Sequence, residues 1–413
     1  MSDAATIGGT GRILRDDEVR AFVTRQLDHA ALDGRSVCVI VPDGTRSCPL
    51  PMLLETVTAA LRGRATGITV LVALGTHAAM SDEHLTRHLG VHEGVTVRNH
   101  EWWDPARLTT VGTLSAGRVA DLSEGRLRES VDVVVNRAVV EHDVCLVVGP
   151  VFPHEVVGFS GGTKYFVPGV AGQQIIDFSH WLGALITSAD IIGTRGITPV
   201  RAMIDDAVAL IPTEKLALCL VVESGGTGLH AASFGTPADA WAACADVSAG
   251  THIRYLDAPV RRVLSIVPRK YDDMWTGAKG FYKVEPIVAD GGQVVVYAPH
   301  ITTIAETHPA VADIGYHVRD YFVKQWDRFR DHHWGDLAHS THLRGAGTWD
   351  PETGEHGRVT VTLATGIPEH VVRAVGLDYL SPAAVDVQAY RADPQTLVVP
   401  DAGEVLYRLR EPR

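Results

Sequence analysis

The sequence predicts an α/β fold made of two α/β domains, the first of them a doubly wound and largely parallel sheet. Two observations predict it. Apolar runs of strand length alternate with segments of helical periodicity, a pattern typical of βαβ units and parallel sheets. Polar turns that contain glycine follow several of these runs, as expected at the carboxyl ends of parallel strands.

The first domain is predicted to span residues 1–258. Each of its strands is a short apolar run, and each helix is a longer segment with apolar residues three or four positions apart. In chain order the predicted elements are helix 16–32, strand 36–41, helix 50–61, strand 68–74, strand 131–136, strand 144–148, helix 173–185, helix 199–210 and strand 216–222.

A second α/β domain is predicted at 259–389, after a crossover segment near residue 258. Its predicted elements are strand 261–267, helix 271–289, strand 293–298 and strand 358–364. The tail from about residue 390 could return to the first domain.

Composition and charge argue against several classes of protein. The 413 residues suffice for two or three domains, and 46% hydrophobic with 21% charged residues is ordinary for a globular protein. A net charge of −12 without a long basic run disfavours nucleic acid or an anionic membrane as partner. Five cysteines without a C-x-x-C pair, no apolar signal core and no run of about 18 apolar residues predict a reduced, cytoplasmic setting.

Four groups of polar residues follow predicted strands of the first domain. They are DGTRSCP from Asp43, GTH ending at His77, His154, and SGGTK ending at Lys164. Parallel strands end at one edge of a sheet, and open α/β sheets bind ligands at that edge. The backbone amides of Ser160, Gly161 and Gly162 could approach an anion there, because no large side chain blocks them.

Each group taken singly has a plainer explanation. Asp43 and Arg46 are typical of a turn-stabilising pair, a single histidine such as His77 is usually packed or capping, and a lysine after a glycine turn is ordinary. The convergence of all four groups on one sheet edge favours a ligand site. Arg46 suits bidentate capture of a carboxylate or phosphate, and Asp43 can orient it.

The chain resembles the nickel-pincer-dependent lactate racemases (LarA-like proteins). The resemblance rests on motifs whose order and spacing agree over nearly the whole chain. They are DGTRSCP at 43–49, GTH at 75–77, H-x4-F-SGG-x-K at 154–164, His180 sixteen residues after the lysine, and WTGAKG at 275–280. The SGG-x-K segment together with His180 is the specific part, whereas DGTR or GTH alone is weak.

The resemblance implies a nickel-pincer nucleotide as cofactor, the nickel complex of pyridinium-3,5-bisthiocarboxylic acid mononucleotide, covalently attached to Lys164. His180 is the implied protein ligand of nickel, and imidazole is a suitable donor for that metal. The residues implied to contact the cofactor are Asp43, Thr45, Arg46, Ser160, Gly161, Gly162 and Trp275. The expected partners are a small 2-hydroxy acid and the proteins that synthesise the cofactor.

The implied activity is that of a racemase or epimerase, an isomerase that inverts C2 of a 2-hydroxy acid, with the active site in the interdomain cleft. The implied catalytic residues are His77, His154 and Lys279, and the implied substrate contacts are Arg46, Thr276, Lys279 and Trp334. The C2 hydrogen beside a carboxylate leaves more easily as hydride than as a proton. Two histidines can then take and return the hydroxyl proton while a 2-keto acid rotates.

Several positions depart from the pattern of lactate racemase itself. Thr276 stands where glutamine is expected, Trp275 replaces a tyrosine, and Val156 replaces an aromatic residue. Ala78 follows GTH where arginine is common. The metal and pincer positions are retained, so we expect the same cofactor with a substrate other than lactate, namely a 2-hydroxy acid with a longer or hydroxylated C3 substituent.

Two other functions stay open at this point. A nicotinamide-dependent 2-hydroxy acid dehydrogenase would also move hydride on an α/β sheet, but G-x-G-x-x-G does not follow the first strand. A non-catalytic pincer-binding or anion-binding protein would not need both His77 and His154. The histidine-rich segment 331–345, with His339 and His342 on one helical face, is interpreted as solvated or interdomain and not as a second metal site.

Overall fold

A computed structural model of the protein describes residues 4–75, 77–91 and 93–410, so Thr76 of the GTH motif lies outside it. The chain divides into two compact units. The first unit comprises the described residues of Met1–Pro153, Phe159–Ser179 and Arg195–Thr251, and the second comprises His154–Gly158, His180–Thr194 and the described residues of His252–Arg413. Two short segments that precede residue 252 thus belong to the second unit, and they carry His154 and His180.

The strands are labelled in chain order. They are β1 Ala5–Gly8, β2 Ser36–Pro42, β3 Gly67–Ala73, β4 Val95–Asn99, β5 Leu108–Leu114, β6 Val131–Asn136, β7 Val144–Pro150, β8 Pro153–His154, β9 Gly158–Phe159, β10 Glu214–Val222, β11 Leu229–Gly235, β12 Ile253–Leu256, β13 Val260–Ile266, β14 Val288–Ala298, β15 Gly347–Asp350, β16 Gly354–Gly357, β17 Thr360–Thr365, β18 Asp378–Tyr379, β19 Thr396–Val399 and β20 Leu406–Leu409.

The α-helices are labelled in the same way. They are α1 Asp16–His29, α2 Leu50–Leu61, α3 Asp82–Leu89, α4 Ala116–Leu122, α5 Ala138–Glu141, α6 Gln173–Ile186, α7 Ser188–Ile191, α8 Pro199–Ala209, α9 Pro237–His252, α10 Met274–Gly277, α11 Lys279–Tyr282, α12 Ala310–Ile314, α13 Arg319–Val323, α14 Trp326–Phe329, α15 Trp334–Arg344, α16 Glu369–Ala374 and α17 Val387–Ala392. Short 3-10 helices lie at Pro105–Arg107, Gly162–Tyr165, Glu285–Ile287 and Pro382–Ala384.

The first unit is built on a seven-stranded sheet in the order β1-β11-β10-β7-β2-β3-β4. The five strands from β10 to β4 are parallel; at one edge β11 pairs antiparallel with β10, and β1 pairs antiparallel with β11. The chain places β3 and β4 on one side of β2, and β7 and β10 on the other side. The strand order therefore reverses between β2 and β7, where open α/β sheets bind their ligands. The predicted α/β fold with a largely parallel sheet is confirmed.

The central strands of this sheet form where the sequence is apolar on both faces. Every residue of β7 is buried, and so is every residue of β2 after Ser36. Continuous apolar runs of this kind are typical of parallel strands that are covered on both sides. Helices α1 and α2 pack against each other, and Phe22 and Leu53 enter the same core as these strands.

The structure corrects two predicted elements. The predicted strand 131–136 forms as β6, but it pairs antiparallel with β5 and does not join the parallel sheet. The predicted helix 271–289 is divided into α10, α11 and a 3-10 helix, and β14 already begins at Val288. Pro286 cannot donate an amide hydrogen bond within a helix, and Gly277 and Gly280 are weak helix formers.

The second unit contains a five-stranded parallel sheet in the order β18-β17-β14-β13-β19. The loops that follow β13 and β14 lie at its carboxyl edge. The tail of the chain pairs within this unit, because β19 adds to β13 and β20 pairs with β12.

Candidate active site

His77 and Asp43 form a hydrogen-bonded pair at the carboxyl edge of the first sheet. Asp43 follows β2, and His77 follows the adjacent strand β3. Nδ1 of His77 lies 2.5 Å from Oδ2 of Asp43. Thr45 donates to Oδ1 of the same carboxylate, from its hydroxyl at 2.6 Å and from its amide at 3.1 Å. The structure thus brings together three residues that the sequence assigned to one site.

The Asp43 carboxylate determines which nitrogen of His77 carries the proton. Burial alone would raise the pKa of Asp43, but His77, Thr45 and Arg46 together hold that pKa well below its usual range. The ionised Asp43 accepts the Nδ1 proton, so neutral His77 has its lone pair on Nε2. Nε2 of His77 can therefore accept a proton.

The glycine turn after β9 is held by contacts of its own backbone. The Ser160 amide donates to the Phe152 carbonyl at 2.8 Å, and the Ser160 hydroxyl accepts from the Phe152 amide at 3.0 Å. Gly161 and Gly162 have φ angles of 89° and 59°, which favour glycine. A Cβ at Gly162 would also lie 2.7 Å from the Pro237 carbonyl oxygen. The Ser160 amide is thus used within the protein, and the turn requires glycine for both backbone angle and space.

Arg201 of α8, which the sequence analysis did not identify, donates to three acceptors of this turn. Its guanidinium donates to the Phe159 carbonyl at 2.5 Å, to the Gly161 carbonyl at 3.2 Å and to the Thr163 hydroxyl at 2.8 Å. The side chain is 1% exposed. Burial lowers the pKa of Arg201 to about 10, so the group is charged at neutral pH. A buried cation therefore fixes the backbone immediately before Lys164.

Trp241 holds the other side of the turn. Its indole N–H donates to the Ser160 carbonyl at 3.0 Å, and Cζ of Arg201 lies 4.3 Å from its ring centroid. This cation–π contact stabilises the buried guanidinium. The Lys164 amide in turn donates to the Gly161 carbonyl at 3.3 Å. The main chain that carries Lys164 is thus fixed at several points.

His154 belongs to the second unit and is 4% exposed. The Val156 amide donates to its Nδ1 at 3.2 Å, and Oε2 of Glu155 lies 3.4 Å from the same nitrogen. Because Nδ1 accepts this hydrogen bond, the neutral ring carries its proton on Nε2, opposite to His77. Val156 itself is buried against Gly183: a Cβ at Gly183 would lie 2.9 Å from Cγ1 of Val156.

His180 is a partly exposed residue of α6. The next residue, Trp181, is buried and stacks on Trp326, with ring centroids 5.4 Å apart and planes inclined by 8°. Trp334 packs edge-on against Trp326 at 5.3 Å, and its indole N–H donates to the Arg330 carbonyl at 2.9 Å. Trp334 is thus connected to the neighbour of His180, and its contact with substrate stays a prediction.

Trp275 and Thr276 lie in α10, after β13. The Asp273 carboxylate accepts from both the amide and the hydroxyl of Thr276, each at 3.0 Å. The Thr276 hydroxyl proton is thereby used, but its oxygen keeps lone pairs that can accept. The Trp275 ring lies between the imidazoles of His308 and His339, at centroid distances of 3.8 Å and 4.1 Å.

Lys279, the first residue of α11, is 9% exposed and is positioned by the tail of the chain. Its Nζ lies 4.9 Å from the centroid of the Tyr271 ring, and the Tyr271 hydroxyl donates to Glu404 at 3.0 Å. A Cβ at Gly403, where φ is 98°, would lie 3.0 Å from Cβ of Lys279. The ring face of Tyr271 stabilises the ammonium group, and Glu404 fixes that ring.

The histidine-rich segment, predicted to be solvated or interdomain, forms α15 from Trp334 onward; His332 and His333 are exposed, but the predicted solvation is wrong for His339 and His342. His339 and His342 are only 6% and 5% exposed. Burial lowers the pKa of His342 to about 4. Burial, together with His342, His308 and Lys279, lowers the pKa of His339 well below its usual value. Both rings are therefore neutral at pH 7.

The residues present suit the implied cofactor in two respects. Lys164 supplies an amine for covalent attachment on a main chain that Arg201 and the Gly161 carbonyl hold in place. His180 offers one imidazole ligand. Within the part of the chain that the structure describes, no three His, Cys, Asp or Glu side chains are grouped to hold a metal ion.

Sequence comparison relates the chain to lactate racemases. Residues 20–191 match the family described as the lactate racemase N-terminal domain. The lactate racemase of Thermoanaerobacterium thermosaccharolyticum is 27% identical over 163 residues, which are 38% of this chain and 35% of the relative. The lactate racemase of Lactiplantibacillus plantarum is 26% identical over 159 residues, 38% and 34% of the two chains. The match thus spans about a third of the length of these curated relatives.

Structural comparison covers the chain more fully. A protein of Thermotoga maritima, known from a crystal structure, is 31% identical with a TM-score of 0.88, covering 97% of this chain and 100% of that one. The lactate racemase apoprotein of Thermoanaerobacterium thermosaccharolyticum has a TM-score of 0.75 at 18% identity and covers 98% and 100%, which shows a common fold. Among residues 4–75, 77–91 and 93–410, no helix has the length and apolar character needed to cross a bilayer.

Proposed function

Because the chain belongs to the lactate racemase family, we propose that it is an isomerase that inverts C2 of a small 2-hydroxy acid. The observation that carries this proposal is that the hydrogen bonds of two histidines place the ring proton on different nitrogens. Asp43 leaves Nε2 of His77 as an acceptor, whereas Val156 leaves Nε2 of His154 as a donor. An isomerase at a carbinol carbon needs one group that removes the hydroxyl proton and another that returns it.

The proton steps fall to these histidines. His77 takes the hydroxyl proton at Nε2 as C2 becomes planar, and the positive charge that develops is stabilised by the ionised Asp43. His154 serves the mirror-image hydroxyl orientation from a buried position beside Glu155. Binding alone would not require two proton carriers held in opposite states.

A lysine-tethered nickel-pincer nucleotide is the cofactor we propose. Lys164 would carry it on the turn held by Arg201, and His180 would be the protein ligand of nickel. When bound, this group supplies reversible acceptance of the C2 hydrogen as hydride, a step that no side chain can perform. The proteins that synthesise the cofactor are the expected partners.

The substrate is proposed to be an anion with more than a methyl group at C3. Arg46 follows the Asp43 turn, and Lys279 lies buried against Tyr271; both are cations suited to a carboxylate or phosphate. Thr276 offers a hydroxyl oxygen where the family's lactate racemase has an amide. We therefore expect lactate to be turned over poorly.

Inversion of enantiopure 2-hydroxy acids in deuterated water tests the function directly. The protein is produced together with the cofactor-synthesis proteins, and the products are separated by chiral chromatography. Inversion with most of the C2 hydrogen retained supports the proposal, since hydride does not exchange with solvent. Full C2 deuteration would overturn the hydride route, and nicotinamide-dependent oxidation without inversion would favour a dehydrogenase.

A further inference from the structure

Two loops of the second unit are joined at the carboxyl edge of its sheet. The loop after β13 carries Trp275 and the loop after β14 carries His308, and the two strands are adjacent and parallel. The Trp275 amide donates to the Ile304 carbonyl at 3.0 Å, and the Glu306 amide donates to the Asp273 carboxylate at 3.2 Å. Side chains from both loops therefore face one position at the edge where α/β sheets bind ligands.

Three stacked rings occupy this position, and each imidazole has a polar side chain beside one ring nitrogen. Trp275 and His308 are nearly parallel, at 3.8 Å and 12°, and His339 covers the other face of the indole at 4.1 Å. Nδ1 of His308 lies 3.2 Å from Oδ1 of Asp336, and Nε2 of His339 lies 3.3 Å from the Tyr316 hydroxyl. Neither imidazole can turn without losing this partner.

Nε2 of His308 is buried and has no hydrogen-bond partner among residues 4–75, 77–91 and 93–410. The side chain of Asp336 is 6% exposed and its Oδ1 lies beside Nδ1 of His308, so a His308 ring whose single proton is on Nδ1 has its lone pair on Nε2. A buried acceptor without a donor is destabilising, and most buried polar groups in folded proteins have partners. A donor supplied by a ligand would remove this penalty.

A second acceptor follows Trp275 in the chain, and a cation lies near His339. The Thr276 hydroxyl has given its proton to Asp273 and can only accept further hydrogen bonds. Lys279 lies close enough to His339 to contribute to the lowering of the pKa of that imidazole. The surroundings of Trp275 thus combine two hydrogen-bond acceptors with one ammonium group.

We infer that His308 is a substrate-contacting residue whose Nε2 accepts a hydrogen bond from a hydroxyl group beyond C2. The inference rests on the proposed function and makes it more specific: the substrate is a polyhydroxy acid of the aldonate type, whose carboxylate is bound by a cation. Its extra hydroxyl shares its one proton between His308 and Thr276 in a bifurcated hydrogen bond. A second carboxylate at this position would meet acceptors and is disfavoured.

The test compares substrates that differ by one oxygen atom. Lactate is paired with glycerate, and 2-hydroxybutanoate with 2,4-dihydroxybutanoate; malate represents the dicarboxylates. The holoenzyme should prefer the hydroxylated member of each pair. His308→Phe keeps the stacking on Trp275 but removes Nε2, and it should lower the kcat/KM ratio of hydroxylated to unhydroxylated acid about 10-fold or more, the effect of one lost buried hydrogen bond. Thr276→Val should shift the ratio in the same direction.

Two controls distinguish substrate contact by His308 from a purely structural role of this residue. A merely structural role of His308 would reduce turnover of both members of a pair equally and leave the ratio unchanged. His370→Phe, at an exposed histidine of α16, should change neither rate. A preference for hydroxylated acids that survives in His308→Phe, or a wild-type preference for lactate or malate, overturns the inference.

Failure of the proposed function is distinguishable from failure of this inference. If the loaded protein inverts none of the acids, the isomerase proposal fails, and calorimetric titration with glycerate and lactate decides the role of His308. Tighter binding of glycerate than of lactate that is lost in His308→Phe supports the contact. Absence of glycerate binding to the wild-type protein contradicts it.

Discussion

The imidazole of His77 is bonded through Nδ1 to Oδ2 of Asp43 at 2.5 Å, which connects the ends of two adjacent parallel strands. We predict that Asp43→Asn lowers the free energy of unfolding at pH 7 by about 1.5–3 kcal/mol, as for hydrogen bonds to charged groups. The folded-state pKa of Asp43 lies below its unfolded value. The stabilisation by ionised Asp43 is therefore fully present above the pKa of the unfolded state, about 3.9. It is lost as the pH falls through the pKa of the folded state.

Urea unfolding between pH 3 and pH 7 measures this dependence. The difference between wild type and Asp43→Asn should decrease as the pH falls below about 4. Asp33→Asn, at an exposed aspartate, should stay within about 0.5 kcal/mol of wild type. A difference that is constant over the whole range would contradict the assigned pKa shift.

The candidate histidines should separate into two groups when they are replaced. His77→Ala and His154→Ala should each reduce turnover about 10²-fold or more, the usual contribution of general acid–base catalysis, with nickel content near that of wild type. His180→Ala should instead reduce the nickel content, measured by elemental analysis. Full metal and full activity in His180→Ala would require another nickel ligand.

Lys164 should carry a covalent adduct when the protein is made beside the cofactor-synthesis proteins. Intact-mass measurement and peptide mapping should locate the added mass on the peptide that contains Lys164, and Lys164→Ala should lack it. Lys324 is a matched lysine with 48% side-chain exposure, and it should remain unmodified. Active enzyme with unmodified Lys164 would refute the attachment.

Arg201 should be needed both for stability and for presentation of Lys164. Arg201→Met leaves three acceptors of the turn without their donor, at about 1–3 kcal/mol for each, so we expect a loss of at least about 3 kcal/mol in the free energy of unfolding. Trp241→Phe removes only the bond to the Ser160 carbonyl and should cost about 1 kcal/mol. Thermal unfolding measures both.

The matched control for this prediction is Arg118→Met. Arg118 is 49% exposed and pairs with Asp206 at the surface, so its loss should cost less than about 1 kcal/mol. In Trp241→Phe, which should still fold, we expect a lower yield of the Lys164 adduct. An unchanged yield would mean that the turn is held without this contact.

The first sheet and part of the candidate site could be predicted because the relevant signals are local. The apolar runs of β2 and β7 are continuous, which predicts strands covered on both faces. Asp43 directly follows β2, so its position at the edge of the sheet could be read from the end of that run. The position of β6 was not predictable in this way, since strand periodicity does not specify the partner strand. Pairing is decided by contacts that are distant in sequence.

Arg201 and His308 were missed for a related reason. Each acts on residues far away in the chain, Arg201 on the turn at 159–163 and His308 on Trp275. No spacing rule connects such positions, and both residues lie in segments that otherwise resemble ordinary helix and loop. The segment with His339 and His342 was interpreted as solvated or interdomain, but tertiary packing buries every residue of α15 from Asp336 to Leu343.

His77 and His154 differ in the ring nitrogen that carries the proton, and this difference has a consequence for the kinetics of the two enantiomers. Mirror-image forms of an acid with one stereocentre have equal free energies, so their equilibrium constant is one whatever the enzyme. By the Haldane relation, kcat/KM must then be the same in both directions, and the asymmetry of the histidines can enter only as compensating differences in kcat and KM. Removing either histidine must slow both directions in equal proportion, and no substitution at His77 or His154 can convert such an enzyme into a one-way catalyst.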